Sequence, residues 1–273
     1  MIIVLLASTC AALEINICPE NLRGGEAVVV GIKGSFMSSY CVDFEGKRYR
    51  FYGAGRGEMG VVLPVGIEAA GPEKLEVSSR FLGIKTSSKK LSVDVAKRKV
   101  ETIILKEESE KMRDAQPSVP SQQKSVIDVI NIKSGKKLWD GEFILPSKNR
   151  IVTVFALKRA GKRYQYFHKG VDYSMKLGEP VIASNSGKVA LSGENYNVYG
   201  NTIIIDHGQG IVTCYFHLSK NLKKEGERVK KGETIALAGS TGWSSGPHLH
   251  FAVYAQGGAI DPVWWSEFSG KMR

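Results

Sequence analysis

From Glu26 to about Ile104, and again after Trp139, the apolar residues come in short runs, each closed by Gly, Asn, Ser or a cluster of charges, and after Trp139 no helical periodicity longer than two turns interrupts them. Runs of this length with breakers on both sides read as β-strands joined by turns. The 30 glycines against 9 prolines fit that reading, because turn-rich β structure consumes residues that tolerate unusual backbone angles. The expected fold class is therefore mainly β.

A chain of 273 residues exceeds the usual single-domain size, so two domains are the default. Residues 13–105 read as an N-terminal β-sandwich-like module, with expected strands at Ala27–Ile32, Arg48–Tyr52, Val61–Val65, Lys74–Val77 and Val100–Leu105. It contains no His, so a binding, positioning or shielding role is expected of it. Residues 106–138 are polar, include Pro117 and Pro120, and read as a partly helical connector, with short helices over Glu107–Arg113 and Val126–Ile132. Residues 139–273 form the second β domain, with strands expected at Pro180–Ala183, Gly187–Leu191, Asn201–Asp206, Ile211–His217, Thr234–Ala238 and His248–Tyr254.

The opening MIIVLLASTCAALE is too short an apolar run for a membrane span and matches a secretory signal, so residues 1–12 read as a signal peptide. The expected location is exported, in the periplasm or cell envelope, with retention by the signal segment as an anchor the alternative, and with no stable membrane span. Cleavage near Ala12 leaves Cys18, Cys41 and Cys214, an odd count in which Cys18 and Cys41 are candidates for a disulfide. On a strand through Ile211–His217, the period of two places Cys214 beside Val212 and Phe216, opposite His217, as a core residue. Of the net charge of +11, three charges precede residue 126 and eight follow it. A basic surface favours polyanions without choosing among them. No phosphate loop or nucleotide fingerprint is present, and nucleic acid is not the expected partner.

All five histidines, His168, His207, His217, His248 and His250, fall in the second domain. Imidazole is both a common zinc ligand and the usual proton carrier near neutral pH. In His248-Leu249-His250 a strand would project both imidazoles to one face and Leu249 to the core. His168-Lys169-Gly170-Val171-Asp172 adds an imidazole and a carboxylate. Two imidazoles and one carboxylate make a three-ligand set of the kind a catalytic zinc uses.

Together with Gly178-Glu179-Pro180-Val181, Tyr199-Gly200-Asn201, Tyr215-Phe216-His217-Leu218, Gly239-Ser240-Thr241-Gly242 and Gly246-Pro247-His248-Leu249-His250-Phe251, these segments closely resemble the lysostaphin-type zinc endopeptidases. The resemblance covers about 164 to 262. It implies an all-β peptidase domain of duplicated hybrid motif-like form, one Zn2+ held by His168, Asp172 and His250, and His217 and His248 as catalytic imidazoles. It implies hydrolysis of peptide cross-links or bridges of bacterial peptidoglycan, one imidazole taking a proton from water and the other serving the oxyanion or the leaving amine. His207 is not needed and reads as structural or as an outer-shell residue. The segment Val152-Thr153-Val154-Phe155-Ala156-Leu157-Lys158 departs from the Ser-x-Phe-Gly-x-Arg-like pattern of such enzymes. Two other readings stand beside this one: a zinc-binding, non-catalytic regulator of wall hydrolases, and a lipoyl- or biotinyl-like carrier or wall-binding module. Intramolecular shielding of the zinc groove by the N-terminal domain is a further expectation.

Overall fold

The computed structural model describes residues 14–34, 38–55, 57–82, 84–107, 109–111 and 119–271, so the signal segment 1–12 lies outside the described residues. The fold is mainly β, as the runs and turns imply. Among the described residues no helix is long and apolar enough to cross a membrane.

The N-terminal module is a sandwich. One sheet runs in the order Glu14–Cys18, Ala27–Lys33, Glu58–Pro64, Tyr52–Gly55; the other runs Leu22–Arg23, Ile84–Ala96, Gly71–Phe81, Ser39–Phe44, Lys47–Arg50. Alternate residues Val28, Val30 and Ile32 face Val42, Phe44, Val77 and Val95 across the sandwich. The opposite face of the first sheet is covered too: Ala27, Val29 and Val62 pack into the core of the second domain, and Trp264 touches both cores. A strand buried on both faces must be apolar at consecutive positions, which is why Ala27–Val30 and Val61–Leu63 read as continuous runs. Polar bonds close the seam: Arg98 Nη1 lies 3.0 Å from Asp261 Oδ2, and Gln209 Nε2 donates to the Gly53 carbonyl at 3.0 Å.

Cys18 and Cys41 stand on different sheets of the sandwich and are unpaired; Cys41 Sγ instead lies 3.2 Å from Ser78 Oγ. The candidate disulfide is not formed, because the two strands do not run side by side.

The second domain is built on a ten-stranded sheet whose main path is Ile151–Thr153, Val171–Ser174, His248–Ala255, Ile211–Asn221, Gly200–Gly208, Gly187–Tyr196, Arg228–Val229. One face carries the main core, including Tyr173, Ile203, Ile205, Tyr215, Leu249 and Trp265. The other carries a smaller cluster of Ile204, Val212, Cys214, Phe216 and Ala252, capped by Val126 and Ile130 of the helix Pro120–Ile130. That helix starts earlier than the expected Val126: Pro120 sits in its first turn, where a missing N–H costs nothing. The strand Thr102–Ile104 leaves the sandwich and pairs in parallel with Lys158–Ala160, which pairs with Gln165–Phe167. The hairpin that leads directly into His168 is thus fixed to the N-terminal half.

Candidate metal centre

Strands Val171–Ser174 and His248–Ala255 are antiparallel neighbours, with Asp172 opposite His250 and Ser174 opposite His248. Directly opposed residues share a face, so Asp172, His248 and His250 project together while Leu249 is fully buried in the main core. His168 arrives from the preceding turn, held by its N–H on the Leu157 carbonyl at 2.9 Å and its own carbonyl on the Ala156 N–H at 2.8 Å. Gly170 makes this approach feasible: a Cβ there would lie 2.4 Å from the Phe251 carbonyl oxygen and 2.7 Å from His250 Nε2. Ala156, the residue where the relatives' pattern has Gly, takes φ of 64°, an angle glycine adopts with less strain.

Three atoms converge. His168 Nε2 lies 3.0 Å from Asp172 Oδ1, His250 Nδ1 lies 2.8 Å from the same oxygen, and the two nitrogens are 2.9 Å apart. His168 Nδ1 meets the Val154 carbonyl at 2.9 Å. A carbonyl only accepts, so Nδ1 carries the proton and Nε2 of the neutral ring presents a lone pair. The triangle therefore gathers acceptors, with at most the single proton of a neutral His250 among them. Two imidazoles and a carboxylate converging in this way fit a zinc ion and leave a fourth position open. Burial pushes the Asp172 carboxyl up, but the His168 and His250 rings beside it outweigh burial and hold the group well below the usual range. Burial lowers His250, with the Asp172 hydrogen bond opposing.

His217 reaches the same side through an irregularity. Between the pairs Asn201↔Leu218 and Ile203↔Tyr215, the strand Ile211–Asn221 holds one residue more than its partner, which is a β-bulge. His217 sits in it at φ of 62°. Strict alternation would have put His217 opposite Phe216; the bulge brings both to the site, Phe216 stacked on His250 at 5.5 Å and His217 at 4.7 Å from His248 between ring centroids. The expectation that Cys214 faces away from His217 is corrected in the same way, since Cys214 lies on the Phe216 face. It remains a fully buried core residue, and burial pushes its thiol up.

Neither His217 nor His248 belongs to the converging triangle. His217 Nδ1 donates to the Thr241 carbonyl at 2.9 Å and His248 Nδ1 to the Gly246 carbonyl at 2.8 Å. Each ring is thereby fixed in the tautomer that leaves Nε2 unprotonated. Burial, followed by the nearby His250 and His248, pushes His217 down to about 3, so it is neutral at pH 7.

The groove over these residues has a volume of about 930 Å³. Ile103 and Leu105, at the end of the N-terminal module, and Ile127 and Ile130, on the helix Pro120–Ile130, line it, whereas among the described residues no strand of the two sandwich sheets does. Arg159, which the sequence reading passed over among the basic residues Lys158-Arg159-Ala160-Gly161-Lys162-Arg163, also lines it, with Nη2 3.7 Å from Asp172 Oδ2.

His207 stands apart. Its Nδ1 meets the Ser186 carbonyl and its Nε2 meets Thr213 Oγ1, both at 2.8 Å, and burial pushes it down from the usual 6.5 to about 4. The unfolded chain thus takes up a proton at a pH where folded His207 does not. Its contribution to stability is complete above about pH 6.5 and falls as pH drops toward 4, by about 3 kcal/mol over that window. Denaturant melts at pH 7 and 4.5 should show this loss, and His207→Gln should show a smaller one; an equal pH dependence in both chains would sink the assignment.

Residues 166–262 match the model of peptidase family M23. An uncharacterized metalloprotease of Haemophilus influenzae is 47% identical over 96 residues, 35% of this chain and 20% of that protein. Peptidoglycan DD-endopeptidase ShyA of Vibrio cholerae is 40% identical over 96 residues, 35% of this chain and 22% of its own. The chain spans about a fifth of the length of these curated relatives. A solved peptidase M23 structure from Pseudomonas aeruginosa superposes with a TM-score of 0.64 over 89% of this chain and 93% of that one, at 24% identity. That likeness of fold takes in the sandwich as well as the domain with the histidines. The family match spans all five histidines and the strands that carry them, and this segment of the chain is a peptidase family M23 domain.

Proposed function

We propose that the chain is a zinc-dependent endopeptidase that hydrolyses peptide cross-links or bridges of bacterial peptidoglycan, acting outside the cytoplasm. The observation that carries this reading is the convergence of His168, Asp172 and His250 beside two imidazoles with unprotonated Nε2 atoms. His168 Nε2, Asp172 Oδ1 and His250 Nδ1 would hold the metal. A zinc ion held there supplies Lewis-acid polarisation of the scissile carbonyl and activation of water. One Nε2, from His217 or His248, takes the water proton, and the other serves the oxyanion or passes a proton to the leaving amine. The carbonyls of Thr241 and Gly246 keep both rings oriented throughout. Ile103, Leu105, Ile127 and Ile130 line the groove, which supports shielding from the segments that join the sandwich to the peptidase domain.

The zinc-loaded chain, incubated with intact sacculi, should release muropeptides whose masses differ from untreated material by one water per cut bond. A mass spectrum unchanged by the protein would favour the regulator reading over an enzyme. In the same assay, the pair Leu105→Ser and Ile127→Ser should raise the rate on sacculi relative to a short soluble muropeptide; an unaltered ratio removes shielding from the reading.

A further inference from the structure

The groove is electrostatically one-sided. Among its described lining residues Asp172 is the single acidic side chain, set against Arg159 and Lys169. Asp172 Oδ1 is already shared by two imidazoles. Arg159 approaches the other oxygen only to 3.7 Å, beyond the length of a good hydrogen bond. Its Nε is buried and has no partner, although its side chain is 24% exposed and so reachable from the groove. Leaving a buried donor unsatisfied is costly. A guanidinium offers Nε and one Nη along a single edge, matched to the two oxygens of a carboxylate. An arginine that merely clamped Asp172 would present that edge to it, and this one does not.

Resting on the endopeptidase reading above, we infer that Arg159 binds a free carboxylate of the substrate and so selects which peptide bond is cut. The chemistry of a peptide decides which carboxylate this is. On the acyl side the α-carboxyl is the scissile carbonyl itself, so the nearest free one belongs to the residue that supplies the leaving amine. It lies about 4 Å from the scissile carbon, one residue along the backbone. Arg159 stands beside the converging triangle, with Nη2 3.7 Å from Asp172 Oδ2, so a carboxylate this near the scissile carbon falls within its reach. The preferred bond therefore joins D-Ala to an amine whose carbon bears a free carboxylate, as in a cross-link to a diamino acid. A glycine bridge lacks this group, because its internal carboxyls are tied up as amides.

The test compares two synthetic substrates on the zinc-loaded full chain: an N-acyl-D-alanyl-D-amino acid with a free carboxylate and its carboxamide. The free acid should have the higher kcat/KM, by on the order of 10- to 100-fold, the worth of a charge-assisted hydrogen-bonded pair. Arg159→Gln should collapse that ratio toward one, and Arg159→Lys, which keeps the charge without the fork, should restore only part of it. Equal rates on both substrates in the parent chain overturn the inference, as does an Arg159→Gln chain that loses zinc and both rates in parallel, the sign of a role confined to positioning Asp172. Calorimetric binding of reduced-amide (CH2–NH) analogues of the acid and the carboxamide supplies a readout independent of turnover. Binding selective for the acid and abolished in Arg159→Gln, with neither substrate cut, would uphold the carboxylate site while defeating the endopeptidase reading. Cleavage without selectivity would do the reverse.

Discussion

Replacing His250 with Ala is expected to abolish both zinc retention and peptide hydrolysis. The parent chain should hold about one zinc, because one converging set of His and carboxylate atoms is present among the described residues. His250 Nδ1 closes that set, lying 2.8 Å from Asp172 Oδ1 and 2.9 Å from His168 Nε2. Without it an imidazole and a carboxylate remain, and a site whose full set is worth on the order of 10 kcal/mol loses roughly a third of it, a hundred- to thousand-fold in affinity. Removal of the ring also unseats Phe216, which stacks on it. Asp172→Ala should behave alike. Metal analysis after dialysis, alongside hydrolysis of a soluble muropeptide, decides the matter: a His250→Ala chain with its full zinc content would mean that the ligand set is wrong.

His217 should separate metal from turnover. Its ring centroid is 6.3 Å from that of His250, and its Nδ1 is committed to the Thr241 carbonyl. Substitution should leave zinc in place and cut kcat on the order of a hundred- to ten-thousand-fold, the usual worth of a proton-transferring group. Ala at φ of 62° carries backbone strain of its own, so His217→Asn is the cleaner variant, Asn being at home in the left-handed region. If either chain lost its zinc, His217 would have to be counted among the ligands; if both kept full activity, the imidazole would have no part in the chemistry.

How much of this was legible in the sequence differed from residue to residue. His248 and His250 were readable because a strand fixes i and i+2 on one face, and Gly170 permitted a turn bringing His168 and Asp172 to one side, while the close approach of Phe251 to Gly170 appears only in the fold. His217 was readable from the resemblance alone. Period-two alternation sent it to the opposite face, since a bulge is a property of the pairing between Ile211–Asn221 and Gly200–Gly208 and leaves no local mark on one strand. The strand Ile84–Ala96 was missed because its first half, Lys85-Thr86-Ser87-Ser88-Lys89-Lys90, stands at the surface; Val93 and Val95 are buried in the core and Leu91 packs at its edge. The helix Pro120–Ile130 was read short because its first turn is polar and its buried residues are Val126 and Ile130 alone. Arg159 was hidden among other cations, and its neighbour Asp172 becomes a neighbour only through the fold.

The sheet Glu14–Cys18, Ala27–Lys33, Glu58–Pro64, Tyr52–Gly55 serves two cores at once, with Val28 and Val30 in one and Ala27 and Val62 in the other. Melting the sandwich would strip apolar cover from the peptidase core and bring Ala27, Val29 and Val62 into water, so neither half can unfold at its own free energy alone. The two halves of the chain are therefore expected to melt in one transition. Damage far from the groove, at the buried face of the N-terminal sheet, is transmitted to the metal centre as lost stability of the whole.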